Sequence, residues 1–137
     1  MTDREKNPSR CRELRQIDRT IREELSRTNE KSERTWRAIE NLRNQINGLR
    51  EKSESLQKQL AAGVAASAIR GPGGVALGAS LVKLEVQYEL LRQEIDRLQG
   101  QLEHLEYGEQ QLRRDHDRWQ VALQENANNM TALNCVA

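Results

Sequence analysis

From Pro8 onward, apolar residues recur at alternating intervals of three and four. With a positions at Leu25, Ser32, Ile39, Ile46, Ser53 and Leu60, the d positions are Leu14, Ile21, Thr28, Thr35, Leu42, Leu49, Leu56 and Gly63. A second frame runs without a skip from Leu77 through Leu84, Leu91, Leu98, Leu105 and Leu112 to Trp119 and Leu133 at d. Its a positions are Leu81, Tyr88, Ile95, Leu102, Glu109, His116, Leu123 and Met130. Apolar residues sustained at this spacing over many heptads predict two coiled-coil helices.

The two frames are separated by Arg70-Gly71-Pro72-Gly73-Gly74. Proline removes a backbone donor and collides with the preceding turn, and each glycine costs about 1 kcal/mol inside a helix. The chain is therefore expected to reverse here. In an antiparallel pair centred on Pro72, facing a and d residues have numbers totalling 144. Leu42 then meets Leu102, Ile46 meets Leu98, Leu49 meets Ile95 and Leu25 meets Trp119. Polar exceptions also coincide: Thr35 with Glu109, Thr28 with His116, Asp18 with Asn126. A polar core residue facing a polar partner costs less than one facing leucine. The expected fold class is all-α, a long antiparallel coiled-coil helical hairpin able to assemble into a larger helical bundle. Its parts would be a flexible N-terminus (1–9), a first arm (10–63), an apolar Gly/Pro/Ala-rich hinge and tip (64–76), a second arm (77–127) and a frayed tail (128–137).

Composition narrows the function classes. Only 3% of the 137 residues are aromatic, with no Phe, and 31% are charged. Deep ligand pockets are lined by apolar and aromatic side chains, so a globular enzyme is not expected. The net charge is +1, which provides no global field for a polyanion. Residues 1–60 carry +4 and residues 83–137 carry −4, so the arms complement each other, which argues against nucleic acid. The Arg-rich stretch from Arg10 to Arg37 is interleaved with Glu13, Asp18, Glu23, Glu24, Glu30 and Glu33, the pattern of a solvated face with pairs at i,i+4.

Cys11 and Cys135 have no second Cys or His at metal-ligand spacing, and two cysteines make no disulfide framework. They read as two reduced thiols in an intracellular, cytoplasmic protein. The charged start, MTDREKNPSR, has no apolar h-region of a secretory signal. His104 and His116 stand about 18 Å apart along a helix, too far to share a metal. No catalytic, metal or cofactor residues are assigned.

Two surfaces stand out. Ala61 to Val82 contains one charge, Arg70, and Val82, Val86 and Leu90 extend an apolar row at i, i+4, i+8. Ile69, Val75, Leu77, Val82, Val86 and Leu90, with Trp36 beside the seam, are the expected contact residues for a second copy or another helical protein. The expected function is a non-enzymatic scaffold or adaptor that works through this tip. The alternative is a membrane-active protein whose tip, residues 61–82, enters lipid. The second surface is the polar layer of Thr28, Ser32, Thr35, Glu109 and His116. Such layers fix register, and His116 could make this one sensitive to pH.

Overall fold

The computed structural model describes the backbone of residues 4–69 and 74–136, and the side chains of 4–65 and 81–136. Two helices pack against each other as a hairpin: α1, Pro8–Ile69, and α2, Gly74–Ala132. Among the described residues there is no strand.

Both helices are longer than the expected arms. The alanine-rich run after Gly63 continues as helix to Ile69, because alanine is the strongest helix former and offsets the neighbouring glycine. The segment expected as hinge, 64–76, is therefore helical at both ends. Arg70 to Gly73 lie outside the described residues, as do the side chains of Ile69, Val75 and Leu77.

The predicted seam is the buried one. Every described a and d position of both frames is buried or half-buried, including the polar Ser32, Thr35 and Asn126. The helices contact each other in two compact units: residues 1–37 with 107–137, and residues 38–106.

In the second unit, Ile46, Ile95 and Leu98 are buried, with Leu42, Leu49 and Leu102 packed around them. These are the layers the register predicts, and each fully buried side chain of this size stabilises by about 1.5–3 kcal/mol. Ile39 is fully buried in the same unit. Further along, a methyl placed on Gly63 would lie 2.5 Å from Leu81 Cδ2. Gly63 thus lets Leu81 lie across the backbone of α1, and their numbers total 144 as the register requires. On the flank, Arg43 pairs with Glu106 at 3.4 Å, and Gln57 donates to the Tyr88 hydroxyl at 2.7 Å.

The first unit has Cys11, Leu14 and Ile21 as its buried apolar residues. Asn7 caps α1: its Oδ1 accepts from the Arg10 N–H at 3.0 Å, and Pro8 takes the first helical position, where a missing N–H costs nothing. At the other end α2 stops at Asn134, whose φ of 54° is left-handed. The Cys135 N–H bonds to the Met130 carbonyl at 2.8 Å and the Asn134 N–H to the Thr131 carbonyl at 3.1 Å. This is a Schellman cap, with asparagine in place of the usual glycine.

That cap aims Cys135 back at α1, where it forms a disulfide with Cys11. The expectation of two free thiols is corrected: the numbers 11 and 135 total 146, so the hairpin itself juxtaposes them. The ends of the described chain are bonded beside it. Lys6 N–H donates to the Leu133 carbonyl at 2.9 Å, and Glu5 Oε1 takes a 2.6 Å hydrogen bond from Arg15 and a 3.3 Å bond from the Val136 N–H. Residues 5–7 thus bond to the C-terminal cap and to the first turn of α1, and α2 runs through 128–132 into the cap.

The Arg15 hydrogen bond, and next the Val136 N–H, hold the Glu5 carboxyl below its ordinary value of 4.5. A depressed folded-state value means the bond contributes above the unfolded value and is lost as pH falls through the folded one. The melting temperature of the chain should therefore decline as pH is lowered below 4.5. In Glu5→Gln that part of the acid dependence should be missing. Identical acid slopes for the two proteins, followed by circular dichroism, would exclude Glu5 as a contributor.

Candidate functional site

The expected polar layer forms in the first unit, with different partners. Glu109 sits at an a position of α2 and is only 4% exposed. The single Ser32 hydroxyl proton is shared between its two carboxylate oxygens, which lie 2.9 and 3.0 Å from the Ser32 oxygen. Arg113, one turn along α2, adds a 3.3 Å bond to Oε1. Thr35, the expected partner, instead donates to the Lys31 carbonyl one turn back at 2.8 Å. Thr28 does the same with the Glu24 carbonyl at 2.8 Å. A threonine within a helix readily bonds back to its own turn, so neither hydroxyl crosses to α2. Asn126 likewise leaves Asp18, donating to the Leu14 carbonyl at 2.9 Å, while Asp18 pairs with Arg22 at 2.9 Å.

His116 is half-buried and makes no hydrogen bond or ion pair with the described residues. It shares a polar groove of about 340 Å³ with Thr28, Ser32, Trp36, Glu109, Arg113 and Asp117. Trp36, 36% exposed, forms the outer wall. The Arg113 guanidinium lies over its ring, 5.5 Å from the centroid, so one arginine covers the aromatic face and neutralises the buried carboxylate. Sequence spacing placed Trp36 beside the seam; Arg113 escaped notice because its role depends on two partners at once.

The second site lies in the other unit. Val82, Val86 and Leu90 are 59%, 54% and 59% exposed. They form a row along the outside of α2, as their spacing of four predicts. At Leu90 the row meets an apolar groove of about 500 Å³ whose walls are Leu56, Leu90 and Leu91, with Lys52, Ser55 and Gln87 at its rim. The described residues thus bring three of the expected contact residues together, while Trp36 belongs to the first unit.

Among the described residues no helix is long and apolar enough to cross a membrane. No group of three His, Cys, Asp or Glu among them could hold a metal ion. No protein-family model, curated protein or solved structure matches the chain.

Proposed function

We propose that the chain is a non-enzymatic helical scaffold that works by self-association, its contact surface being the row Val82, Val86 and Leu90 with the adjoining groove. The exposed row carries this reading. Three large apolar side chains in line on a helix exterior are hard to account for unless another surface covers them. Area supports a second copy as that surface. The chain exposes 10150 Å², whereas a compact monomer of 15.8 kDa exposes about 7,300 Å². The excess, about 2,900 Å² for each chain, leaves room for the roughly 1,000–2,500 Å² that each partner of an obligate dimer buries.

Helix rows spaced by four pack into grooves between similar rows, crossing at about −50°. The same row on two copies therefore meets its own complement. The disulfide favours an oxidising compartment for this assembly rather than the cytoplasm.

Light scattering should give at least twice the chain mass for the wild-type protein and the single-chain mass for Val86→Asp/Leu90→Asp, with helicity retained in both. A monomeric wild type at about 100 μM, well above typical dissociation constants, would refute self-association. Flotation with liposomes separates the membrane reading, which requires lipid binding that the same double substitution abolishes.

A further inference from the structure

Four arginines of α1 in the first unit, Arg12, Arg15, Arg19 and Arg22, fall within about 80° of the helix circumference and extend over about 15 Å of its length. Interleaved acids predict mutual neutralisation along this stretch, and part of it occurs: Arg10 pairs with Glu13, Arg22 with Asp18, Arg27 with Glu24. Arg15 is held by Glu5. Arg12 and Arg19 have no hydrogen bond or ion pair with any described residue, although the Arg12 charge helps to hold the Glu5 carboxyl ionised. Glu23, one turn beyond Arg19, makes no hydrogen bond or ion pair with it.

The side chains of the opposite wall add no negative charge, and the Glu5 carboxylate that bonds to Val136 is taken up by Arg15. Residues 126–136 of the cap region, Asn-Ala-Asn-Asn-Met-Thr-Ala-Leu-Asn-Cys-Val, contain no ionisable side chain apart from Cys135, which is in the disulfide. Between the helices runs a groove of about 420 Å³ lined by Arg15, Asp18, Arg19, Arg22, Met130 and Thr131, with Cys135 and Ala127 completing it. Three guanidinium groups and one hydroxyl face it against a single carboxylate, which Arg22 already engages. The disulfide and the cap fix both walls, so little ordering is needed on binding.

We propose that this groove and the arginine row beside it bind a sulfated polysaccharide, with Arg19 as the unpaired anchor in the groove, Arg12 in line with it one heptad earlier, and Arg15, Arg22 and Thr131 completing the contact. Guanidinium forks match the geometry of tetrahedral oxyanions and bind them bidentately. Arginines repeating every seven residues present charge about every 10 Å along one line, which suits a linear polyanion better than a single phosphate. The disulfide favours an oxidising compartment over the cytosol and nucleus, where nucleic acids are concentrated.

The test is heparin binding by the oxidised full-length chain, followed by titration calorimetry and by retention on a heparin column. Wild type should bind, with affinity falling roughly 20–40-fold between 50 and 200 mM salt if three ions are released. Arg12→Gln/Arg19→Gln should weaken binding at least tenfold while shifting the melting temperature at neutral pH by no more than about 2 °C, since neither side chain makes a hydrogen bond or ion pair and Arg12 acts on Glu5 only through its charge. Arg114→Gln, an exposed arginine of α2 that also has no partner, should bind as wild type does. Absence of heparin binding at 50 mM salt, equal loss in Arg114→Gln, or equal affinity for duplex DNA would each overturn the proposal. So would binding of anionic vesicles at comparable strength. None of these results bears on self-association through Val86 and Leu90, which lie in the other unit.

Discussion

Reduction of the Cys11–Cys135 bond, or the substitution Cys11→Ser, is expected to lower the melting temperature by on the order of 10–15 °C. The two residues are 124 apart in sequence, so the bond closes a loop of almost the whole chain. Chain-entropy arguments give such a cross-link about 5 kcal/mol, most of it from restricting the unfolded state. Beside the disulfide, Lys6 donates to the Leu133 carbonyl and Val136 to Glu5, and these bonds are expected to remain after reduction. Residual structure in the reduced unfolded chain lowers the entropic gain of the cross-link, and the net loss is expected at about 3–5 kcal/mol. Thermal melts with and without a dithiol reductant measure it directly. Cys11→Ser/Cys135→Ser should melt with the reduced wild type. Because the bond lies wholly within the first unit, amide exchange there should accelerate more than around Ile46 and Leu98. A reduced protein that melts within about 2 °C of the oxidised one would mean that the bond restrains nothing the helices do not already restrain.

The seam was legible because it depends on periodicity alone. Pattern matching places Ile39, Ile46, Ile95 and Leu98 inside, and they are inside. The exposed row at Val82, Val86 and Leu90 was legible for the same reason. What the pattern hid depends on chemistry at single positions. The disulfide was implicit in the register, since 11 and 135 lie opposite each other in a hairpin turning near 72. Distance along the chain obscured it. The Schellman cap needed a left-handed residue, and Asn134 is a weaker signal than glycine would have been.

Polar partners in the seam were only half legible. Facing positions were identified by arithmetic, but which hydroxyl crosses the interface is decided by rotamer competition with the helix backbone. Thr28 and Thr35 lose that competition and Ser32 does not. The basic groove was hidden for a further reason. Interleaved signs along α1 suggest cancellation, yet the pairs form at only some positions, and the uncharged wall comes from residues more than a hundred positions away.

Ser32→Ala is expected to destabilise the chain by about 1.5–3 kcal/mol, a large effect for removing one hydroxyl. The Glu109 side chain is 5% exposed, and Ser32 is the donor that reaches both its oxygens. Without Ser32 the carboxylate keeps only the longer bond from Arg113 and remains shielded from water. The penalty is desolvation of a charge rather than the intrinsic strength of one hydrogen bond. The double substitution Ser32→Ala/Glu109→Leu should therefore recover the loss and melt at or above the wild type. Leucine at 109 would continue the seam between Leu105 and Leu112, and buried ionic groups replaced by apolar ones of similar volume are often neutral or stabilising by 1–4 kcal/mol. Arg113 would not be stranded, because it is largely exposed and keeps its place over Trp36. Denaturant titration of wild type, both single variants and the double completes the cycle. A double variant less stable than Ser32→Ala would show that the carboxylate supports folding beyond its bond to Ser32. The recovered stability should come with looser register, since a polar residue in a seam raises the cost of sliding one helix by a heptad. Cysteine pairs placed across the seam at neighbouring registers would then cross-link in the double variant and not in the wild type.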